Sequence, residues 1–286
     1  TLLANDPHFK LSVPSQFYLA HLDLSVGGVI GGTIPGIPTI ITGRTPYIAW
    51  GISASYADDQ DLYAEEISET DVDMYRSIDG WTEFKTEDAI IKIKGEPSKK
   101  IKLKWSENGP VLDKNTSQIS DITPPNHEMA LSWTMLSPKD TSMSSLINLP
   151  YSKDLTTALK SLEKHVAPSL NYTIIDKENI GLQLVGKLPK RNKDHNTQGR
   201  LPSFGYIEKN RWLGYTSYDN NPRFINPNSG LIANTNNKVL EELFPNHISY
   251  DWGDSQRIER LTRLLESRKV HTRESFIEAQ LDTVSF

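Results

Sequence analysis

The placing of turn residues against apolar periods constrains the fold of this 286-residue chain more than any other feature. The first third carries short apolar runs broken by glycine and proline, a pattern suited to strands, and helical periods gather late. Thr39-Ile40-Ile41-Thr42 and Ile48-Ala49-Trp50 flank Gly43-Arg44-Thr45-Pro46, which predicts a hairpin turning at Gly43 to Pro46. Between Gly27 and Pro38, Gly31-Gly32 and Pro35-Gly36-Ile37-Pro38 allow close backbone approach and fix turns, so a tight, shaped floor is expected there. From Tyr63 to about Trp105, alternating segments such as Ala89-Ile90-Ile91 and Ile101-Lys102-Leu103-Lys104-Trp105 read as further antiparallel sheet.

The first convincing helix is expected from about Asp154 to Val166. Leu155, Ala158, Leu159, Leu162 and Val166 share one face, Ser152 is a candidate cap, and Pro168 ends the helix. A second spans roughly Ser255 to Arg268, burying Ile258, Leu261, Leu264 and Leu265; a third begins after Thr272 with Phe276, Ile277 and Leu281 inward. The basic run Lys187 to Asn196 is expected to be a solvated loop and is given no function. With no internal repeat or linker tract, one interwoven α+β unit is the economical reading.

Composition narrows the chemistry. At 37% hydrophobic and 9% aromatic residues the chain can bury one large core or two modest ones. A formal charge of −5, with basic residues spread along the chain, gives no phosphate-tracking surface and no anionic-membrane patch, so neither nucleic acid nor membrane is an expected partner. The absence of cysteine excludes disulfides, thiol nucleophiles and zinc-thiolate sites, and leaves the compartment open. Thr1 does not open a signal peptide, no apolar run is long enough to span a bilayer, and both ends look cut.

Common hydrolase signatures fail. There is no Gly-x-Ser-x-Gly elbow, and His127-Glu128 lacks the second histidine of a zinc-protease helix. Ser161-Leu162-Glu163-Lys164 fits Ser-x-x-Lys without its companion motifs and reads as the outer face of a helix. Four separated segments remain. They are Asn5-Asp6-Pro7-His8-Phe9 running on to Pro35-Gly36-Ile37-Pro38; Ile48-Ala49-Trp50-Gly51 with Ala54 and Asp58-Asp59-Gln60-Asp61-Leu62-Tyr63; Asn226-Pro227-Asn228-Ser229-Gly230-Leu231-Ile232-Ala233-Asn234-Thr235-Asn236-Asn237; and Trp252-Gly253 with Arg257-Ile258.

Together these segments resemble the penicillin acylase family of N-terminal nucleophile hydrolases. The resemblance implies an α+β, four-layer αββα sandwich with mainly antiparallel sheets, of which 1–286 would be part of the large-subunit catalytic domain. It implies an amidohydrolase acting on an acylated small molecule, with penicillins, acyl-homoserine lactones and acyl-amino acids as candidates. In the family a serine becomes the first residue of the large subunit, and its hydroxyl is activated by its own α-amino group. That serine, and a small subunit from the same precursor, are expected upstream of Thr1, so the chain alone is expected to hydrolyse nothing. A binding or scaffold module that has lost catalysis is one rival. The other makes Thr1 the nucleophile, although the family spacing sets it one strand too late. A periplasmic or extracellular location follows from the resemblance alone.

Residue by residue, the resemblance assigns the oxyanion donors to the backbone amide of Ala54 and the side-chain amide of Asn236. It gives His8 a part in positioning the nucleophile and sets Arg257 near the terminal amine. Phe9, Ile52, Tyr56 and Leu170 would line the acyl pocket. No cofactor is required for the chemistry. A structural calcium is implied at Asp58, Gln60, Asp61, Gly199 and Asn246, where Asn246 stands in place of an expected aspartate and a further ligand would come from the small subunit; losing one carboxylate weakens such a site.

Overall fold

The computed structural model describes residues 1–25, 27–116, 118–240 and 243–284. Contacts divide the chain into two compact units, Thr1–Ala57 with Pro138–Lys187 and Ser217–Phe286, and Asp58–Ser137 with Leu188–Thr216. Each unit draws on separated stretches of chain, so no single linker marks a boundary between them.

The first unit is built on a seven-stranded antiparallel sheet. In spatial order its strands are Tyr18–Leu24, Gly27–Thr33, Thr42–Arg44, Ala49–Ala54, Leu170–Ile175, Ile180–Val185 and Arg223–Ile225. Alternation along the central strands sends Trp50 and Ile52 and their cross-strand partners Ile174 and Tyr172 to one face. That face packs against Leu155, Ala158, Leu159 and Leu162 of the helix Leu155–Leu162, and each fully buried aliphatic or aromatic side chain contributes roughly 1.5–3 kcal/mol. The opposite face carries Gly51, Ser53, Thr173 and Asn171, and it holds the polar groups described below.

Two expectations shift here. The hairpin strand is Thr42–Arg44 rather than Thr39–Thr42, so Gly43 and Arg44 lie in the sheet and the turn begins at Thr45. The cause is steric. Gly31 and Gly43 sit opposite each other, where a Cβ on Gly31 would come 2.1 Å from the Thr42 carbonyl oxygen and one on Gly43 would come within 2.3 Å of that of Ile30. The helix expected at Asp154–Val166 is Leu155–Leu162, and its cap is Asp154, not Ser152: Thr157 N–H donates to the Asp154 carboxylate at 2.7 Å, closing a capping box. Ser161 faces the helix Ser142–Asn148 rather than the outside, donating to the Ser145 carbonyl at 3.2 Å, which leaves Ser161-x-x-Lys164 as a helix seam.

The late helices are Gln256–Glu266 and Arg273–Gln280, the second capped by Thr272. Leu265 is buried and Ile258, Leu261, Leu264 and Phe276 are half-buried, but Ile277 and Leu281 are exposed. Leu281 falls beyond the helix end, and ion pairs Arg260–Asp282 and Arg268–Glu278 bridge the pair of helices instead.

The second unit is a set of small sheets. Lys85–Ile91, Lys99–Ser106 and Gly109–Pro110 form one, and His127–Trp133, Gln60–Glu66 and Ser203–Phe204 another, with the last pair parallel. Met74–Ser77 pairs with Gly80–Glu83, and Pro189–Arg191 with Trp212–Tyr215. The antiparallel reading of this region is observed. The solvated-loop reading of Lys187 to Asn196 is not, because Pro189–Arg191 is a strand and Leu188 and His195 are buried. His127-Glu128 lies on a strand, where no zinc-protease helix exists.

Candidate active site

In the first unit the strand Ala49–Ala54 ends where the loop Asn234–Asn237 and the helix Gln256–Glu266 meet it. Arg257 Nη2 donates to Asn236 Oδ1 at 3.0 Å, and Asn236 Nδ2 donates to the Ala54 carbonyl at 3.1 Å. A guanidinium can only donate, so this contact fixes which way the Asn236 amide points. One N–H of Nδ2 is committed to Ala54 and the second remains to be offered elsewhere. Asn236 adopts φ +66°, a left-handed conformation asparagine tolerates. Its backbone N–H donates to Asn234 Oδ1 at 3.1 Å, an oxygen that also accepts from Ser53 Oγ at 2.6 Å. Gly253 gives the loop room, since a Cβ there would lie 3.2 Å from the Asn236 carbonyl oxygen.

Beyond Ala54 the chain is strained. Tyr56 holds φ +51°, a conformation costing roughly 1–2 kcal/mol in a bulky residue, and the residue is 49% exposed. Ser55 beside it is buried and donates to the Ser169 carbonyl at 2.9 Å, anchoring the turn. Leu170 is the cross-strand partner of Ala54 and is half-buried against the core. Ile52 lies in the core itself. Phe9 is 49% exposed and packs against Phe17 in a tilted arrangement with ring centroids 5.1 Å apart.

His8 stands apart from this network. Its Nε2 meets Asp6 Oδ2 at 3.0 Å in an exposed segment, and among the described residues no hydrogen bond joins it to Ala54, Asn236 or Arg257. Thr1 Oγ1 donates to the carbonyl of Asp176, next to Ile175 at the far end of Leu170–Ile175. Five residue steps of strand, roughly 17 Å, separate that end from the Ala54–Leu170 pair.

Three groups in this region carry information the sequence reading passed over. Asn5 lays its side-chain amide along the sheet: Nδ2 donates to the Ile52 carbonyl at 2.9 Å, and Oδ1 accepts from Thr42 Oγ1 at 2.8 Å and from Ile52 N–H at 3.3 Å. Gly51 makes that contact possible, since a Cβ there would come 2.7 Å from Asn5 Cβ. Asn171, opposite Ser53, is 1% exposed, and neither its Oδ1 nor its Nδ2 has a hydrogen-bond partner. Asn234 Nδ2 is likewise buried without one. Each such group costs roughly 1–3 kcal/mol. An asparagine in the otherwise apolar run Leu170-Asn171-Tyr172 was the available signal.

Asp58, Gln60, Asp61 and Gly199 belong to the second unit and Asn246 to the first. Asp61 is buried and fully engaged: Arg191 Nη2 donates to Oδ1 at 2.8 Å, Arg191 Nε to Oδ2 at 3.0 Å and Trp212 Nε1 to Oδ2 at 2.6 Å. Arg191 Nη2 also donates to the Asp58 carbonyl at 3.0 Å. Gly199 closes over the pair, where a Cβ would lie 2.6 Å from Asp61 Oδ1 and 2.7 Å from Arg191 Nε. Among the described residues no group of three histidines or acidic side chains is placed to hold a metal. Arranged in this way, these residues do not fit a calcium ion. Nearby His195 is held below its ordinary value by burial, with the Asp61 carboxylate opposing and Arg191 reinforcing that push.

The family model described as penicillin amidase matches residues 1–286. The chain belongs to that family. The acyl-homoserine lactone acylase QuiP of Pseudomonas aeruginosa is 26% identical over 290 residues, covering 100% of this chain and 34% of the relative. The penicillin G acylase of Escherichia coli is 24% identical over 269 residues, covering 93% and 30%. The chain therefore spans about a third of the length of these relatives. Among solved structures, the thermostable penicillin G acylase from Alcaligenes faecalis superposes with a TM-score of 0.84 at 23% identity, over 96% of this chain and 48% of that one. The fold is the expected one: α+β, with mainly antiparallel sheets, of the N-terminal nucleophile hydrolase type. No described helix is long and apolar enough to cross a membrane. Within this member of the penicillin amidase family the geometry joins Ala54, Asn236 and Arg257, brings Tyr56 and Leu170 to the same strand end, and among the described residues leaves His8 outside the network.

Proposed function

We propose that this chain is the oxyanion-binding part of an amidohydrolase that cleaves the linear amide of an acylated small molecule, such as an acyl-homoserine lactone or a penicillin. The observation that carries the reading is the relay Arg257 to Asn236 to Ala54, which orients one amide N–H and leaves a second available beside the end of a strand. In this reading a terminal serine from the preceding segment attacks the amide carbonyl, and its α-amino group, with an ordinary pKa of about 7.7–8.0, accepts the hydroxyl proton. The oxyanion is received by Ala54 N–H and Asn236 Nδ2. The ammonium then protonates the departing amine, and water releases the acyl group from the serine. No cofactor enters the chemistry.

Arg257 is a fixed cation that favours the neutral form of a nearby amine, which a base must have. The unpartnered amide of Asn171 and the unpartnered Nδ2 of Asn234 support a polar occupant on this face, and the strained, exposed Tyr56 supports an acyl pocket at its rim. The place of Thr1 at the far end of Leu170–Ile175 favours an upstream serine over Thr1 as nucleophile. The small subunit is the proposed partner, and an exported location is part of the same reading.

Intact mass and N-terminal sequencing of the native protein test this directly. A large chain opening on serine upstream of Thr1, co-purifying with a smaller chain and hydrolysing an acyl amide, is the expected result. A mature protein without that serine, inert toward acyl amides, would replace this reading with a binding module of the same fold. Hydrolysis by the 286-residue chain alone would move the nucleophile to Thr1.

A further inference from the structure

We propose that the guanidinium of Arg191 is the resident cation of the Asp58–Asp61 corner, filling the place that the family resemblance gives to calcium. Two groups of that corner, the Asp61 carboxylate and the Asp58 carbonyl, both accept from one side chain, with donor–acceptor distances of 2.8, 3.0 and 3.0 Å. The Arg191 and Asp61 side chains are 6% and 4% exposed, so the pair is desolvated and bidentate. Trp212 supplies the third donor to Asp61, and the register Arg191 opposite Trp212 sets the two donors side by side on one two-stranded sheet.

A calcium ion needs six to eight oxygens at about 2.3–2.6 Å. Bound to Asp61 it would overlap the guanidinium, and leaving Arg191 in place would add two positive charges to a buried pair that is already neutral. Gly199 lies close over the pair, where even a Cβ would come 2.6 Å from Asp61 Oδ1 and 2.7 Å from Arg191 Nε. A guanidinium also stays charged at every pH the fold survives, and it needs no ion from the medium. The corner is therefore stapled permanently: the start of the strand Gln60–Glu66 is tied to the Pro189–Arg191 and Trp212–Tyr215 pair whether or not calcium is present.

Thermal unfolding of the full chain in chelator and in millimolar calcium, together with terbium luminescence sensitised through Trp212, tests the proposal. The parent chain is expected to keep one Tm in both conditions and to give no terbium emission that calcium competes away. Arg191→Met is expected to lower Tm in chelator by roughly 6–20 °C. Calcium that then stabilises Arg191→Met but not the parent would mark a general cation seat, and calcium that stabilises neither would mark one shaped for guanidinium; both results support the assignment. A saturable, calcium-competed terbium signal in the parent would overturn it, and so would an Arg191→Met chain as stable as the parent. Should Arg191→Met fail to fold, the parent's terbium titration still decides.

Discussion

Arg257 in the first unit and Arg191 in the second each reach a side-chain oxygen, Asn236 Oδ1 at 3.0 Å and Asp61 Oδ1 at 2.8 Å, yet their surroundings differ in kind. Arg191 and its partner are buried, every oxygen of Asp61 is engaged, and a glycine is packed over the pair. Arg257 is exposed and the amide it orients keeps a free N–H, while Asn171 and Asn234 nearby carry buried amide atoms without partners. A closed polar network leaves no desolvated group unpaired, whereas an open one carries that cost and persists where a ligand or transition state completes it. The same residue type thus serves structure in one unit and proposed chemistry in the other.

The largest effect expected from breaking this contrast is at Asp61. Asp61→Ala leaves the Arg191 guanidinium buried without its anion and should cost about 3–5 kcal/mol of unfolding free energy, read by urea denaturation of the chain. Next comes Asn236→Ala, measured in the enzyme assembled as proposed above, with an upstream serine segment and a small subunit. There kcat should fall by about 10²–10³, while stability moves by less than about 1.5 kcal/mol. If the two variants exchanged roles, with Asn236→Ala unfolding the protein and leaving its rate intact, the distinction between closed and open networks would fail.

Asn171→Leu sharpens the comparison because the two readouts should move in opposite directions. Leucine matches asparagine in shape and removes both unpartnered polar atoms, so the chain should gain about 1–3 kcal/mol. If the buried amide awaits a polar occupant, the reconstituted enzyme should lose rate at the same time. A gain in stability with an unchanged rate would make Asn171 a structural defect.

How much of this was legible from the residues follows the same line. The helix Leu155–Leu162 and the antiparallel middle of the chain could be read, since periodicity carries them; Ala54, Asn236 and Arg257 are singled out by the family resemblance alone, and the fold joins the three by hydrogen bonds. The long-range contacts could not. Arg191 sits in a basic run that looks like a solvated loop, and only the fold reveals that Asp61, distant in sequence, neutralises it. Asn5 reads as one letter of a motif until Gly51 is seen to make room for its amide against Ile52. Gly43 reads as a turn because glycine usually is one; its cross-strand neighbour Gly31 keeps it in the sheet.

The smallest effect concerns Glu65, a buried group that lies between the two cases. Its Oε1 accepts from Asn108 Nδ2 at 2.9 Å and from Ser106 Oγ, but Oε2 has no partner, and burial pushes the carboxyl above its ordinary value of 4.5 against those two hydrogen bonds. A raised native value means the folded chain binds the proton more tightly than the unfolded one. Its stabilising contribution is therefore complete below pH 4.5 and is lost as pH rises from there through the raised value. Glu65→Gln keeps an oxygen for Ser106 and Asn108 and carries no charge, so urea midpoints of this variant should lose that part of the decline between acidic and neutral pH. Arg211, whose charge acts in the other direction on Glu65, provides the control: Arg211→Gln should steepen the decline more in the parent than in the Glu65→Gln variant, where only its own ion pair with Glu107 is lost. Parallel pH profiles for parent and Glu65→Gln would place Glu65 with Asp61, among the closed networks whose charge the fold has already compensated.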